Sequence, residues 1–382
     1  MIRFLFVALF TSFSWLAFAQ TTVVDTMLIG GLRRAFRYYV PASYQQGTPA
    51  PLVFNFHGLG SNALNQENYG DFRPIADTAG FIIVHPQGLS LNGTTGWFSF
   101  FDVAQIQGDL SFITAIMDTL TRRFTLDPDR FYSTGMSNGG FMTYDVACFM
   151  NQRFAAVASV TGTMVPDHLS ACQPGRAVPV LHFHGTNDAT VPYSGVGGAL
   201  PFVPVDSLMQ FWIRNNACNP MPATIALPNV NVNDNSTVNR YTWTQGRGGS
   251  EVVLYKILGG GHTWPGSAFS SPTATTNQDI NASRITWEFF RKFTRNAVVS
   301  VKEELLSPAI AFWPNPGHGL FQVNWEGESP VRLEFWNAQG KKCGSVELKP
   351  GRNELNLESF PAGFYSYSTN HPAGLSGKLV KY

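Results

Sequence analysis

The sequence predicts an α/β fold with a mostly parallel sheet, followed by a small all-β sandwich. Three observations carry this expectation. Up to about residue 296, short apolar runs alternate with stretches of helical period. Several of those runs are apolar almost throughout, as for strands buried on both faces. From about Ile310 onward the helical period vanishes, and short strands with turn residues between them follow at close spacing.

Taken in order, AFRYYV (35–40) reads as a strand, and PLVFNFHG (51–58) and FIIVHP (81–86) as strands of the buried kind. DLSFITAIMDTLTRRF (109–124) places Leu110, Ile113, Ile116, Met117, Leu120 and Phe124 on one helical face, with Asp109 near its start. RFYSTG (130–135) is a short strand, and a helix is expected from Asn138 to about Met150. AAVASVTG (155–162) and VPVLHFHG (178–185) are strands, VDSLMQFWIRNN (205–216) a helix, and VNRYTWTQ (238–245) with EVVLYKILGG (251–260) a strand pair. ASRITWEFFRKFTR (282–295) is a helix with Ile285, Phe289 and Phe293 on one side. Residues 186–204 and 219–236, rich in Gly, Pro and Asn, are expected to be surface loops, with a border on substrate as the alternative for 186–204. Strands joined through helices make a parallel sheet, and such sheets take ligands at the carboxyl ends of their strands.

The first residues, MIRFLFVALFTSFSWLAFAQ, combine Arg3, an apolar run and Ala17-Phe18-Ala19 as a cleavage site. Thr11, Ser12 and Ser14 interrupt the run, which falls short of the ~20 apolar residues that span a bilayer. Residues 1–19 are therefore expected to be a signal peptide, with no transmembrane segment in the mature chain. Residues 20–296 form the first domain, 297–308 a linker and 309–382 the β-sandwich. Lys plus Arg number 26 against 25 Asp plus Glu, so no basic field exists to hold nucleic acid. Export permits disulfides among Cys148, Cys172, Cys218 and Cys343; the spacing fits no zinc motif and leaves all three full pairings open.

The chemistry is expected at GMSNG (135–139). G-x-S-x-G between a strand and a helix is the pattern of a nucleophile elbow, which lifts the Ser137 hydroxyl above the sheet. A serine needs a base, and the base an orienting carboxylate, in the chain order Ser, Asp, His. Asp188 follows the strand 178–185 and His262 the strand 251–258, the latter inside GGGHTWPG. Asp206 competes with Asp188, but its place at a helix start reads as a cap. His182 and His184 alternate and so share one strand face; with no carboxylate–cysteine cluster nearby, no metal is expected there. Oxyanion donors are expected at the N–H groups of Asn138 and of Leu59, in the HGLGS loop, where Gly58 and Gly60 allow close approach and His57 braces the loop. In TGWFSFF (95–101) a core cluster competes with substrate contact; Trp97 and Trp264 are the candidates for stacking on a sugar or aryl ring. No metal or organic cofactor is called for.

Together FHGLGSN, DPDRFYSTGMSNGGFM, VPVLHFHGTNDATVPYSG and EVVLYKILGGGHTWPG resemble the polyhydroxybutyrate depolymerase-like family of secreted α/β-hydrolases, which also includes feruloyl and acetylxylan esterases. The match covers roughly residues 25–295. It implies an α/β-hydrolase fold and a Ser137–Asp188–His262 triad working through an acyl-enzyme. It points first to a polyhydroxybutyrate depolymerase-like serine esterase, with a feruloyl or acetylxylan esterase as the alternative. A serine peptidase or a non-catalytic surface adhesin stands further off. Relatives often pair a cysteine near Cys218 with one after a run like RYTWTQ. Here GRGGS stands in that place, so Cys218 is expected to be free; Cys148 and Cys172 flank a strand and are the expected disulfide. The tail segments FWPNPGHGLFQV, LNLESFPAGFYSYS and GKLVKY resemble the C-terminal sorting domain of type IX secretion. That implies export across both membranes of a Gram-negative bacterium through that machinery, to the medium or the cell surface. The competing reading of the tail is a polymer-binding sandwich with exposed Trp313, Trp325 and Trp336.

Overall fold

A computed structural model describes residues 21–91, 93–101, 103–196, 201–269, 273–295, 310, 312–313, 317–325, 329–337, 341–369 and 376–381. The expected signal peptide (1–19) and linker (297–308) lie outside the described residues. The chain divides into two compact units, Met1–Val298 and Val299–Tyr382.

The first unit holds strands β1 (Thr21–Ile29), β2 (Leu32–Val40), β3 (Ala50–Phe56), β4 (Ile82–Pro86), β5 (Leu89–Leu91), β6 (Thr94–Gly96), β7 (Leu126–Met136), β8 (Ala156–Val160), β9 (Val180–Gly185), β10 (Ala223–Ala226), β11 (Thr237–Trp243) and β12 (Val252–Leu258). Its helices are α1 (Ala63–Tyr69), α2 (Arg73–Ala79), α3 (Gln107–Arg123), α4 (Asn138–Phe149), α5 (Pro166–Ala171), α6 (Val205–Asn216) and α7 (Ala282–Phe290). Ten strands form one sheet in the order β1-β2-β4-β3-β7-β8-β9-β12-β11-β10. The six in the middle pair in parallel, and antiparallel pairs close both sides. The Pro- and Asn-rich stretch 219–236, expected to be loop throughout, contains the edge strand β10.

Alternation along β3 shows why these sequences make a sheet covered on both faces. Val53 enters a core shared with Ala76 of α2 and with Trp287, Phe289 and Phe290 of α7. Leu52, Phe54 and Phe56 point the other way, against Ile113, Ile116, Met117 and Leu120 of α3 and Met142 of α4. Further along that second face, Tyr144 and Ala147 of α4 meet Leu208, Met209 and Trp212 of α6. From β3 the chain steps to β4 on one side and later to β7 on the other. The order therefore reverses between β3 and β7, and a crevice opens there at the carboxyl ends.

The second unit holds β13 (Phe312–Trp313), β14 (Leu320–Trp325), β15 (Val331–Asn337), β16 (Lys342–Leu348), β17 (Gly351–Asn356), β18 (Gly363–Thr369) and β19 (Ser376–Lys381). They make antiparallel sheets β13-β14-β17 and β16-β15-β18-β19 around one core. Trp325, exposed in the competing polymer-binding reading, is buried in that core and donates through its indole N–H to the Ser329 carbonyl at 2.8 Å. Trp336 is half-buried, and the side chain of Trp313 lies outside the described residues. No helix among the described residues is long and apolar enough to cross a membrane.

Candidate active site

β7 ends at Met136 and α4 begins at Asn138, so Ser137 is the corner between them, at φ 54° and ψ −124°. Positive φ is costly for a residue with a side chain, and it persists only where the surroundings hold it. Here the Ser137 N–H donates to the Val160 carbonyl at 2.9 Å, while the Gly140 and Phe141 N–H groups donate to the Ser137 carbonyl. The flanking glycines let backbone approach backbone. A Cβ on Gly135 would stand 2.4 Å from the Gly139 carbonyl oxygen, and one on Gly139 would stand 2.1 Å from that of Phe56. A strand, an elbow and a helix thus close on a neighbouring strand with no room for side chains.

The loop after β3 passes over this corner. A Cβ on Gly58 would lie 3.3 Å from Ser137 Cβ. His57 braces the loop from beneath. The Gly88 N–H donates to His57 Nε2 at 2.9 Å, so the ring carries its proton on Nδ1 and donates it to the Gly58 carbonyl at 2.8 Å. Burial pulls the His57 pKa down to about 4, against the Gly58 hydrogen bond and helped by the charge of Arg34. The ring is therefore neutral and structural. The Gly60 N–H reaches the Thr95 carbonyl at 2.7 Å. Leu59 and Asn138 thus flank the serine from a braced loop and a helix start. The first N–H groups of a helix have no partner inside it, and the Asn138 side chain is already spent on the Trp97 backbone, at 2.7 and 3.2 Å.

Two strand ends bring Asp188 to His262. A Cβ on Gly185 would sit 2.1 Å from the Gly260 carbonyl oxygen, so the ends of β9 and β12 touch through glycine. The Asn187 N–H then donates to that same carbonyl at 2.9 Å. His262 Nδ1 meets Asp188 Oδ2 at 2.7 Å; the Asp188 side chain is fully buried and that of His262 is 16% exposed. Asp188 Oδ1 accepts the N–H groups of Thr190 and Val191 at 2.9 and 2.8 Å. The carboxylate can only accept, so the imidazole proton sits on Nδ1 and Nε2 keeps its lone pair. Ser137 and His262 both line a cavity of ≈ 420 Å³. Asp206 stands apart from this group: it lies in the first turn of α6, does not cap the helix and accepts from the Tyr193 hydroxyl.

The two tryptophans offered as candidates for stacking on substrate are not among the residues that line the cavity, in keeping with the competing core reading of TGWFSFF. Trp97 is wholly buried, its ring 5.1 Å from that of Phe56 and its indole N–H on the His57 carbonyl at 2.9 Å. Trp264 is also buried; its ring packs under Gly70 and 6.2 Å from Phe72, and its N–H donates to Ser283. Both brace the loops that carry the site, because each indole finds a partner only inside. The cavity walls come from residues that the sequence reading passed over, among them Asn65, Asn68, Tyr69 and Phe269. The signal for α1 was its ends rather than its face: the Asn62 side chain accepts the Asn65 N–H at 2.8 Å, and Gly70 follows the last turn.

Cys148 and Cys172 form a disulfide with a Cα–Cα distance of 4.9 Å, tying the end of α4 to the end of α5. Cys218 is a buried free thiol and Cys343 a half-buried one. His182 and His184 are wholly buried, and no group of three or more potential metal ligands occurs among the described residues.

A parallel-cored sheet with a serine elbow at its switch point is an α/β-hydrolase arrangement. The prolyl oligopeptidase family matches residues 79–169, which contain the elbow, and the secretion system C-terminal sorting domain matches residues 311–381. The chain carries an α/β-hydrolase domain followed by a sorting domain. Its relatives include feruloyl esterase D of Neurospora crassa, 29% identical over 281 residues, covering 70% of this chain and 85% of that protein. The bifunctional acetylxylan esterase/xylanase of Neocallimastix patriciarum is 28% identical over 281 residues, 73% of this chain but 36% of that protein. Among solved structures, an acetyl xylan esterase from Aspergillus awamori aligns with TM-score 0.49 and 14% identity, over 63% of this chain and 94% of that one.

Proposed function

We propose that the chain is an exported serine esterase acting on aryl or acetyl esters of plant polysaccharide. The observation that carries this is the Asp188–His262 pair, its carboxylate buried and its histidine lining the same cavity as a serine on a strained elbow. In this reading His262 Nε2 takes the Ser137 proton as Oγ attacks the ester carbonyl. Asp188 stabilises the imidazolium, and the N–H groups of Asn138 and Leu59 receive the oxyanion. The C–O bond breaks as His262 returns the proton to the leaving alcohol, and water repeats the cycle on the acyl-enzyme.

The cavity lining bears on the acyl group. Leu59, Met136, Tyr69 and Phe269 supply apolar surface, with the Tyr69 and Phe269 rings 6.4 Å apart as an aromatic corner. Asn65 and Asn68 add amides. A flat phenolic acid suits that mixture better than a linear hydroxybutyrate chain, and the relatives named above are feruloyl and acetylxylan esterases. The polyhydroxybutyrate reading therefore falls behind its alternative. A peptidase is the second reading, because residues 79–169 match the prolyl oligopeptidase family; that segment holds Ser137 but neither Asp188 nor His262. The sorting domain supports export, with a Gram-negative host and release or surface attachment as part of the proposal.

The test is a panel of methyl ferulate, acetylated xylan, hydroxybutyrate oligomers and a peptide anilide, run on the wild type and on Ser137→Ala. Ester turnover is expected in the wild type and is lost in the variant, whose thermal unfolding is unchanged. Unchanged turnover in Ser137→Ala ends the proposal. Faster cleavage of the anilide than of any ester moves the assignment to a peptidase. Failure of Ser137 to react with a fluorophosphonate leaves only a scaffold role.

A further inference from the structure

Behind Asp188, on the α4 and α6 face of the sheet, three buried polar side chains form a line. His182 and His184 stack at 5.2 Å between ring centroids. His184 Nε2 lies 2.8 Å from the Val191 carbonyl and 3.5 Å from Asp188 Oδ2. His184 Nδ1 lies 3.1 Å from His182 Nε2, and His182 Nδ1 lies 2.7 Å from the Tyr144 hydroxyl.

With both rings neutral, one proton arrangement satisfies every contact. The Val191 carbonyl only accepts, so His184 carries its proton on Nε2 and its Nδ1 is an acceptor. His182 must then donate from Nε2 and accept at Nδ1, and Tyr144 must donate to it. From that arrangement, a proton added at His184 Nδ1 would face the His182 N–H, and one added at His182 Nδ1 would make the Tyr144 hydroxyl turn and accept instead of donating. Burial acts in the same direction: it drives His182 well below the usual histidine range, lowers His184 and raises Tyr144. Three neutral groups thus aim one fixed hydrogen at the turn that holds the carboxylate. That turn is closed on itself, because Val191 gives its N–H to Asp188 Oδ1 and its carbonyl to His184.

We infer that His184 is a positioning residue: a proton-ordered chain from Tyr144 through His182 fixes its Nε2–H on the Val191 carbonyl, 3.5 Å from Asp188 Oδ2, so that the turn keeps the carboxylate aimed at His262. The inference rests on the reading of Ser137, Asp188 and His262 as a triad. Tyr144 lies on the same helix that begins at the Ser137 elbow, so the chain links the nucleophile's helix to the carboxylate's turn.

The test uses the full chain with His184→Phe, His184→Gln and Tyr144→Phe. It measures kcat and KM on an aryl acetate, the rate of fluorophosphonate labelling at Ser137, and the pH at which kcat/KM falls on the acid side. His184→Phe is expected to lower kcat and labelling roughly ten- to a hundredfold with KM unchanged. Its acid limb moves upward, because a carboxylate that has lost the facing N–H dipole 3.5 Å away stabilises the His262 imidazolium more. His184→Gln, which keeps an N–H donor near the Nε2 position, recovers most of the loss. Tyr144→Phe, which removes one hydroxyl, slows labelling about two- to fivefold, with the limb moving the same way. Labelling of His184→Phe within about twofold of wild type overturns the inference. So does an equal kcat loss in the Phe and Gln variants with no movement of the acid limb, which marks a space-filling role. If His184→Phe does not fold, Tyr144→Phe decides, and an unchanged rate and profile there overturns the inference. A wild type that fails to label removes the esterase reading itself, which is a different result from a labelled wild type with indifferent variants.

Discussion

Replacing Asp188 by Asn gives a sharp test because the neighbouring backbone dictates how the amide must sit. Oδ1 accepts two N–H groups, from Thr190 and Val191, at 2.9 and 2.8 Å. An amide nitrogen cannot accept them, so in Asp188→Asn the oxygen keeps that position and the NH2 takes the place of Oδ2, 2.7 Å from His262 Nδ1. An NH2 there donates, and the imidazole must then hold its proton on Nε2, facing the serine. The base is present but carries its proton on the wrong nitrogen. Forcing the wrong tautomer in a serine triad lowers kcat about 10⁴-fold, which at about 1.36 kcal/mol per decade is ~5.4 kcal/mol of lost transition-state stabilisation. KM is expected to stay within about twofold, because Asp188 is fully buried and does not line the cavity. The assay is steady-state hydrolysis of an aryl acetate at pH 8, with thermal unfolding as a control. A folded Asp188→Asn enzyme whose kcat lies within roughly tenfold of wild type would refute the reasoning.

Two further outcomes follow from geometry and burial. Gly139→Ala pushes a methyl into backbone, the Phe56 carbonyl at 2.1 Å and the His57 carbonyl at 2.7 Å, so β3 and α4 must part. A loss of about 3 kcal/mol or more is expected, read as a fall of roughly 6–12 °C in the unfolding midpoint; an unchanged midpoint contradicts the packing described. His57, with its folded pKa near 4 against an ordinary 6.5, makes stability fall as pH drops. Between those values the unfolded chain binds a proton that the folded chain refuses, so up to ~3 kcal/mol present above pH 6.5 is lost on reaching pH 4. The denaturation free energy of His57→Asn is expected to be flatter across that window, and parallel wild-type and variant curves would count against a buried neutral ring.

Most of the sheet was legible because its central strands are apolar on both faces, as PLVFNFHG shows, and because the glycine-flanked serine, the TND turn and the GGGH loop each follow such a strand. α1 was not legible, for a physical reason. Its buried face is Ala63, Gln66 and Glu67, and Glu67 is held by Arg37 and Arg73 at 2.9 and 2.8 Å. Ion pairs and amides replace the apolar stripe on which a periodicity argument depends. For the tryptophans the sequence left core and cavity open for a different reason. Trp97 and Trp264 stand next to site residues in the chain, but whether an indole faces a cavity or a core depends on which N–H acceptor lies nearby, and those acceptors, the His57 carbonyl and Ser283, come from elsewhere in the sequence.

The parts that would perform the reaction and the parts that enclose the substrate come from different stretches of chain. Ser137, Asp188 and His262 sit on strand ends welded by glycine contacts, where any added atom collides. Asn65, Asn68, Tyr69 and Phe269 belong to a short helix and a loop. Selection can therefore rewrite what this enzyme accepts while leaving how it reacts untouched, and divergence among its kin should collect along those walls rather than at the sheet's rim.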